Sequence, residues 1–331
     1  MKKIIGITLA VVMLAASLTG CRTTARKQLK PIVLNEVAHS IFYAPQYAAI
    51  ELGYFEDEGL DLTLVNGAGA DKVMTALISG DADIGFMGSE ASIYVYQEGA
   101  SDYAINFAQL TQRAGNFLVG READPDFTWA DLKGTKVLGG RAGGMPQMVF
   151  EYILKKNGIN PATDLTIDQS INFGLTAAAF TSNDADYTVE FEPFATGLEK
   201  EGNGYVIASL GVDSGYVPYT AYSAKKSYIE KNPETIQKFA NAIQKGLEYV
   251  NSHSAEEIAK TIQPQFKETD VDTIATIVGR YKDQDTWKGD TIFTEDSFNL
   301  LQNILDEAGE LKERVPYDKL VVTDYSKKAV K

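Results

Sequence analysis

The sequence predicts an α/β protein built from two similar lobes. From residue 31 onward, short apolar runs alternate with amphipathic helical patterns, which indicates mostly parallel sheets covered by helices. An internal repeat supports the two lobes, because the turn at 79–84 recurs in outline at 182–187. Each copy follows an alanine-rich helical stretch and precedes a short apolar run. Asp-Ala-Asp is by itself a common turn, but the shared context favours two related units.

The first lobe is expected to begin with strands and helices in alternation. The predicted elements are a strand at 31–37, a helix at 44–52, a strand at 60–65, a turn at 66–69, a helix at 71–79 and a strand at 83–87. Gly53 and Gly80 end the two helices, since glycine readily adopts the left-handed conformation found after a helix terminus.

The later part of the chain repeats this alternation. A strand at 136–139 leads into the glycine-rich loop 139–144 and then into a helix with Pro146 in its first turn. The clearest helix signal is Asn232 as a cap and Pro233 at the first position, followed by apolar residues at helical spacing. The last residues, 326–331, are predicted to be a frayed tail.

The first residues resemble a bacterial lipoprotein signal. Two lysines precede an apolar run at 4–18, and Leu-Thr-Gly stands directly before Cys21. The resemblance implies a signal peptide at 1–20, cleavage before Cys21 and acylation of that residue, with 21–30 as a flexible spacer. The alternative is a buried helix that happens to end in cysteine. Cys21 is the only cysteine, so an internal disulfide is excluded.

Composition excludes several classes of partner. The net charge of -14 argues against nucleic acid and against an anionic lipid surface. Only two histidines occur, far apart in the sequence, which gives no support for a metal site. The glycine loops match neither the dinucleotide nor the Walker pattern, and no cofactor is expected. No second long apolar segment follows the first, so we expect the lipid to be the tether. A monomer is also expected.

Four stretches of the chain resemble the motifs of one family, in order. They are 43–61, which begins Tyr-Ala-Pro-Gln-Tyr-Ala-Ala, then 76–86, then Asp-Leu-Lys-Gly at 131–134 and Glu-Pro-Phe-Ala-Thr at 192–196. Together they resemble the nitrate/sulfonate/taurine and thiamine-pyrimidine-precursor family of substrate-binding proteins of ABC importers. The resemblance runs from about residue 32 to residue 250.

The resemblance implies a periplasmic-binding-protein-like fold of type II, with a ligand cleft between two lobes and two crossings. We expect the crossings near residues 117–120 and 216–220. The implied first lobe is 31–117 together with 217–331, and the second lobe is 118–216.

Candidate ligand-binding residues lie in loops that should line this cleft, because open α/β sheets bind ligands beyond the carboxyl ends of their strands. Backbone N–H groups, hydroxyls, charges and rings are all represented. The candidates are His39, Ser40, Phe42, Tyr43, Gly67, Gly69, Gly88, Ser89, Glu90, Arg113, Asn116, Arg141, Gly143, Gly144, Phe173, Glu192, Tyr216 and Tyr219.

Several candidates also have a structural alternative. Ser40 and Tyr43 could serve in capping or core packing, and His39 could make a structural hydrogen bond. Arg113 could form a salt bridge, and Glu192 could make a structural contact at the hinge. The glycines could simply make tight turns.

The candidate residues are compatible with two classes of ligand. Arg141 and the glycine loops before helices favour an anion such as a sulfonate or a nitrate-like ion. Glu192 and the aromatic first loop favour an aromatic amine or a pyrimidine-type heterocycle. Pyrimidine-binding members carry a Pro-Asn pair and a later histidine where this chain has His39, Ser40 and Tyr43. The resemblance to the fungal enzymes of the family would imply a cysteine-rich site. The body of this chain has no cysteine, which argues against their chemistry.

The function predicted is capture of a small solute for an ABC permease and ATPase at the outer face of the cell membrane, without catalysis. One alternative is a lipoprotein sensor that uses the same cleft to signal. An extracytoplasmic hydrolase is the other, although the chain lacks a Gly-x-Ser-x-Gly elbow and clustered histidines.

Overall fold

The computed structural model describes residues 29–171 and 174–331. The predicted signal peptide, Cys21 and the predicted cleft residue Phe173 lie outside the described residues. Within the two described ranges, no helix is both long enough and apolar enough to cross a membrane.

Ten strands form two five-stranded sheets. The strands are β1 (Lys30–Glu36), β2 (Leu60–Asn66), β3 (Ile84–Gly88), β4 (Ala104–Thr111), β5 (Asn116–Gly120), β6 (Lys136–Leu138), β7 (Thr166–Asp168), β8 (Tyr187–Phe191), β9 (Tyr205–Ser209) and β10 (Thr220–Lys225). The first sheet has the order β2-β1-β3-β10-β4 and the second has the order β7-β6-β8-β5-β9.

Both sheets combine four strands that run in one direction with a single antiparallel strand. In the first, β1 is parallel to β2 and β3, and β10 is antiparallel to β3 and β4. In the second, β6 is parallel to β7 and β8, and β5 is antiparallel to β8 and β9. All five residues of β3 are buried, as expected for a strand covered on both faces. The two sheets therefore share one plan, which confirms the predicted two-lobed α/β architecture.

Helices cover both sheets. Those of the first half are α1 (Ala44–Glu51), α2 (Tyr54–Asp57), α3 (Ala70–Ser79), α4 (Glu90–Gln97), α5 (Met145–Lys156), α6 (Thr176–Ser182), α7 (Phe194–Lys200) and α8 (Leu210–Ser214). Those that follow are α9 (Lys226–Lys231), α10 (Pro233–Ser252), α11 (Ala255–Ile262), α12 (Val271–Asp283), α13 (Glu295–Glu307), α14 (Tyr317–Leu320) and α15 (Asp324–Ala329). Short 3₁₀ turns occur at Ile41–Tyr43, Trp129–Leu132 and Gln263–Gln265.

The internal repeat is confirmed down to its hydrogen bonds. Asp83 accepts from the Val33 N–H through Oδ2 at 2.9 Å and donates its own N–H to the Val33 carbonyl. Asp186 makes the same pair with Lys136, whose N–H lies 2.8 Å from Oδ2. Each aspartate thus fixes the start of one strand against its parallel neighbour. The two turns have the same role, because in each the aspartate makes one hydrogen bond through its side chain and one through its backbone N–H.

The chain passes between the sheets twice. Residues 112–115 connect β4 of the first sheet to β5 of the second, and residues 215–219 lead back to β10. The sequence analysis placed the first crossing at 117–120, but those residues pair with β8 and β9 inside the second sheet. The lobe boundaries themselves stay a prediction.

Two local predictions are wrong. Helix α10 begins at Pro233 as expected, but the Asn232 side chain does not cap it. That side chain instead accepts from Lys30 Nζ at 2.9 Å and donates to the Tyr228 carbonyl. The predicted frayed tail contains α15, where Ser326 is buried and its hydroxyl donates to the Phe107 carbonyl at 2.7 Å. A distant backbone acceptor therefore holds a segment that looked free in the sequence.

Candidate functional site

Loops that follow strands of the two sheets meet between the lobes. The Ser40 hydroxyl, which follows β1, donates to the Glu192 carbonyl, which follows β8, at 3.1 Å. Farther along the same interface, the Tyr94 hydroxyl lies 3.7 Å from the sulfur of Met148. This convergence is the geometry expected of a ligand cleft beyond the carboxyl ends of strands.

An aromatic cluster fills the innermost part of this interface. The Phe42 ring is fully buried, with centroid distances of 5.2 Å to Tyr281, 5.7 Å to Tyr219 and 5.8 Å to Phe191. Gly115, in the first crossing, leaves no room for a side chain, since a Cβ there would lie 2.6 Å from Phe42. Phe42 therefore packs where the lobes join, and its ring lies in the core between them.

Tyr219 and Asn116 form a polar contact beside these rings. The Tyr219 hydroxyl donates to Oδ1 of Asn116 at 3.0 Å, and both side chains are buried. The other amide atom, Nδ2 of Asn116, is buried without a hydrogen-bond partner among the described residues. A buried donor left unpaired in this way is destabilising unless something else accepts its hydrogen bond.

Glu90 presents a second unpaired atom in the same corner. It is the first residue of α4, and only 3% of it is exposed. Its Oε2 is buried without a hydrogen-bond partner among the described residues. The carboxylate lies against Gly88, where a Cβ would overlap both carboxylate oxygens. Glycine at this position is therefore what lets the carboxylate occupy the corner.

Burial raises the pKa of Glu90 to about 7 from 4.5, because the charged form is removed from water. Its own N–H, the Arg141 charge and the Met145 N–H act in the opposite direction. The Glu90 charge in turn contributes to raising the pKa of Tyr43 and of Tyr219, after desolvation as the main cause. These side chains thus share one electrostatic environment at the interface.

His39 has a structural role in this arrangement. Its Nδ1 lies 2.8 Å from Glu36 Oε1 and its Nε2 lies 2.9 Å from the Gln265 carbonyl. Glu36, which the sequence analysis did not single out, is fully buried and also accepts from Gln46 and Tyr47. The hydrogen bond to Glu36 raises the pKa of His39. Both ring nitrogens are engaged by protein groups, and the ligand contact of His39 stays a prediction.

Two candidate hydroxyls are also engaged. Ser40 donates to Glu192 and accepts from the Phe42 N–H, so it caps the short turn as its alternative reading proposed. The Ser89 hydroxyl donates to the Pro218 carbonyl, which ties the loop after β3 to the second crossing. Both residues shape the interface through backbone acceptors.

Glu192 is held by protein groups. Its carboxylate accepts from the N–H and the hydroxyl of Thr196, each at 2.9 Å, and from Arg280 Nη1 at 2.9 Å. Arg280 also pairs with Glu199. Glu192 therefore forms a structural ion pair with Arg280 of α12, 88 positions away along the chain, and its ligand contact stays a prediction.

Arg113 and Tyr216 lie together at the outer side of the crossings. Arg113 Nη1 donates to the Gly211 carbonyl at 2.9 Å, and the guanidinium carbon lies 4.2 Å from the centroid of the Tyr216 ring. Tyr216 is 54% exposed and donates to Asp285. The ring therefore covers Arg113 at the surface, and a ligand contact of either side chain stays a prediction.

The first glycine loop does not present free donors at its glycines. The Gly67 N–H donates to the Glu36 carbonyl and the Gly69 N–H donates to the Val37 carbonyl. These bonds tie the loop to the end of β1, as tight turns do. The two N–H groups are thus paired within the chain, and the anion contact stays a prediction.

The second glycine loop faces the first lobe. The Gly143 N–H donates to Gln147, and Gly144 precedes the first residue of α5. Arg141 Nη2 lies 3.7 Å from Asp71 Oδ1 at the start of α3. Both of those side chains are more than half exposed. The loop therefore spans the interface through a solvated ion pair.

A surface cavity of about 610 Å³ lies elsewhere, on the second lobe. It shares no residue with the candidate list, and its walls come from one lobe alone. The lining residues are Glu151, Lys155, Asn160, Pro161, Ala162, Leu165, Thr166, Ile167 and Gln169. Because lobe closure cannot cover a ligand there, we place the candidate site between the lobes. The described residues contain no group of three or more metal-ligating side chains.

A family model described as "NMT1/THI5 like" matches residues 41–257, which cover both sides of this interface. The chain belongs to the NMT1/THI5-like family. A Bacillus subtilis (strain 168) relative named "Putative binding protein YtlA" is 45% identical over 317 residues, which cover 96% of this chain and 94% of the relative.

Solved structures share the fold of this NMT1/THI5-like chain. The aliphatic sulphonate binding protein SsuA from Escherichia coli superposes with a TM-score of 0.69 at 18% identity, over 88% of this chain and 97% of that one. The nitrate-binding protein NrtA from Synechocystis PCC 6803 superposes with a TM-score of 0.71 at 16% identity, over 91% and 88%. Both similarities confirm the periplasmic-binding-protein-like fold that the motifs predicted.

Proposed function

We propose that the chain captures a small organic solute between its two lobes and delivers it to an ABC importer. The observation that carries this proposal is the meeting of strand-end loops from two similar sheets, joined by two short crossings. Two lobes linked in this way can open and close around a ligand by small backbone changes in the crossings. The fold shared with sulfonate-binding and nitrate-binding proteins supports the same function.

The polar groups of the interface fit binding better than catalysis. Ser40, Ser89 and His39 are bonded to backbone carbonyls or to Glu36, and none is activated by a neighbouring base. Nucleophilic catalysis requires such an activated group. The permease and ATPase are the proposed partners, and acylated Cys21 is the proposed anchor at the outer face of the membrane.

The first test is to identify what the purified chain holds. Denaturing the protein and analysing the released small molecules by mass spectrometry should give one solute at near-equal molar amount. Adding that solute back to refolded protein should contract the molecule in small-angle scattering, since closure brings the lobes together. At one hundred times its dissociation constant, it should also stabilise the fold by about 2.7 kcal/mol.

Transport is tested separately from binding. Cells lacking the gene should lose uptake of the isotope-labelled solute and regain it with the full chain. Normal uptake in the deletion strain would point to sensing. Conversion of the solute by the purified chain would contradict a binding protein and indicate an enzyme.

A further inference from the structure

We propose that His39 is held as an imidazolium, with hydrogen on both ring nitrogens, and that this cation fastens the loop after β1 to the turn at Gln263–Gln265. The loop, residues 37–43, carries the contact between the lobes at Ser40 and the buried ring of Phe42. Its position should therefore depend on the protonation of one side chain. The consequence for solute capture rests on the proposed function, whereas the charge of His39 does not.

Both ring nitrogens of His39 face oxygen atoms that accept hydrogen bonds. Nε2 lies 2.9 Å from the Gln265 carbonyl oxygen, and a backbone carbonyl has no hydrogen to donate. Nδ1 lies 2.8 Å from Oε1 of Glu36. A neutral imidazole has one N–H and one bare nitrogen, so it can serve only one of two acceptors. The imidazolium donates to both, and these two hydrogen bonds are called the His39 bridge below.

The neighbours of Glu36 indicate that this side chain is an acceptor in the bridge. Its other oxygen, Oε2, accepts from Gln46 Nε2 at 2.7 Å and from the Tyr47 hydroxyl at 2.8 Å. The Ser40 N–H donates to the Tyr47 oxygen at 3.2 Å, which leaves the hydroxyl hydrogen for Glu36. Two donors on one oxygen favour the charged carboxylate. The hydrogen between Glu36 and His39 therefore belongs to the imidazole.

The groups packed around the ring also favour the cation. The hydrogen bond to Glu36 is the main cause that raises the pKa of His39 above 6.5, with smaller contributions from the Gln265 carbonyl and the Glu36 charge. Burial acts in the opposite direction. The ring centroids of Tyr47 and Phe266 each lie 4.8 Å from that of His39, and nearby aromatic rings stabilise a cation. The pKa of Tyr47 is raised by burial, so this phenol stays neutral.

The bridge connects parts of the chain that are 226 positions apart. Gln265 lies in the turn between α11 and α12, and its side chain donates to Glu51 of α1. This second hydrogen bond holds the turn in place without His39. The bridge is thus the bond that attaches the loop after β1 to a turn already fixed to α1.

Loss of the proton from His39 should release the loop. Nε2 then becomes an acceptor that faces the Gln265 carbonyl, so a charge-assisted hydrogen bond is replaced by repulsion between two lone pairs. The loop should move away from the turn, and the hydrogen bond from Ser40 to the Glu192 carbonyl should weaken with it. The bridge is complete below the folded-state pKa of His39 and is lost as the pH rises through it.

The first measurement is the nitrogen NMR spectrum of the full chain labelled with nitrogen-15 histidine. The chain has only two histidines, and the variant His253→Gln assigns their signals. The titration midpoint of His39 should lie above 6.5, and at pH 6.5 more than half of His39 should have hydrogen on both ring nitrogens. A midpoint at or below 6.5 would overturn the proposal.

The second measurement follows Trp287, whose indole N–H donates to the Phe42 carbonyl at the end of the loop, at 2.9 Å. Trp129, the other tryptophan, precedes β6 of the second sheet and is the internal reference. Both indoles are buried. As the pH rises through the His39 midpoint, the hydrogen-exchange rate of Trp287 relative to Trp129 should increase at least about tenfold, because a bond to a charged group is lost.

Two variants assign this change to the bridge. His39→Gln cannot become charged, so the exchange ratio should lose its dependence on the His39 titration. Glu90 and Glu190, whose pKa values are about 7, remain in that variant, so any pH dependence left in it belongs to them. The matched control is His253→Gln, which should keep the wild-type response.

The wild-type chain decides the proposal even if a variant does not fold. A Trp287 exchange ratio that does not follow the His39 midpoint would show that the ring only packs, and would overturn the proposal. An unchanged pH response in folded His39→Gln would do the same. These measurements need no solute, so failure to recover one would contradict the capture function and leave the bridge standing.

Discussion

The Tyr219 hydroxyl donates to Oδ1 of Asn116 across 3.0 Å, and this bond joins the two crossings of the chain. Tyr219 ends the segment 215–219, and Asn116 directly follows the segment 112–115. The bond therefore fixes the two crossings relative to each other while leaving Nδ2 of Asn116 unpaired.

Removing this bond should destabilise the free protein. Tyr219→Phe keeps the ring but leaves both polar atoms of the buried Asn116 amide without partners. We expect a loss of about 1–3 kcal/mol in the free energy of unfolding, measured by urea titration. The control is Tyr216→Phe, which removes an exposed hydroxyl bonded to Asp285 and should change stability by less than about 0.5 kcal/mol. Equal effects of the two variants would contradict the importance of the Asn116 contact.

A methyl group in the first crossing should force the lobes apart. A Cβ at Gly115 would lie 2.6 Å from Phe42 and 2.8 Å from Phe191, which belong to opposite sides of the interface. Gly115→Ala should therefore lower stability by about 1–3 kcal/mol and expand the molecule in small-angle scattering.

The matched control for this substitution is Gly197→Ala. Gly197 lies inside α7, and a Cβ there would meet nothing within 4 Å. Alanine is favoured over glycine in a helix, so this variant should gain up to about 1 kcal/mol. An unchanged scattering profile and unchanged stability for Gly115→Ala would show that the aromatic cluster can rearrange freely.

Stability should rise as the pH falls from 8 toward 5. The folded-state pKa of Glu90 is about 7, above its unperturbed value of 4.5, so the folded state binds more protons between these values than the unfolded state. The loss of folding stability caused by ionising the buried Glu90 is absent below pH 4.5 and grows between pH 4.5 and pH 7. It is complete above pH 7, where it amounts to about 3 kcal/mol. Burial raises the pKa of Glu190 to about 7 as well, with the same sign.

Chemical denaturation at several pH values checks this dependence. Glu90→Gln should reduce the slope of stability against pH in this window, and the double variant with Glu190→Gln should reduce it further. A slope that is unchanged in both variants would assign the pH dependence to other groups. His39 acts in the same direction, because its raised pKa means that its stabilising contribution is lost as the pH rises through the folded-state value.

The ion pair between Arg280 and Glu192 should contribute far more to folding stability than ion pairs at the surface do. Glu192 is fully buried, whereas Arg280 retains 26% exposure that lets water screen the charge. Arg280→Met leaves Thr196 as the remaining donor named here for the Glu192 carboxylate. It should lower the free energy of unfolding by about 2–3 kcal/mol, measured by urea titration. Lys136→Met, which breaks an exposed pair with Asp184, should leave stability unchanged within error. The reverse ranking would show that Thr196 suffices to stabilise the carboxylate.

Much of the architecture could be predicted because local signals agree with the fold. The repeat at 79–84 and 182–187 identified two equivalent turns, and each aspartate does fix a parallel strand pair. Glycines placed the ends of α1 and α3 close to their observed positions. The first crossing was misplaced because the segment 117–120 is short and apolar, as a linker between lobes can be, and its strand partners are 67 or more positions away.

The site was less predictable, because the sequence does not show which polar atoms already have partners. His39 finds the Gln265 carbonyl 226 positions away, and Glu192 finds Arg280 88 positions away. Both looked available for a ligand when only their loops were considered. Glu36 was overlooked since it sits at the end of a strand, without any neighbouring motif that marks a buried carboxylate.

The position of β10 has a consequence for how the molecule is assembled during synthesis. All five strands of the second sheet lie between residues 116 and 209, so that sheet can form as soon as this stretch has left the ribosome. The first sheet began earlier but has a gap between β3 and β4 until residues 220–225 arrive. The first sheet is therefore completed only after β10 has been synthesised. Until then, the edges of β3 and β4 are unpaired and open to chaperones.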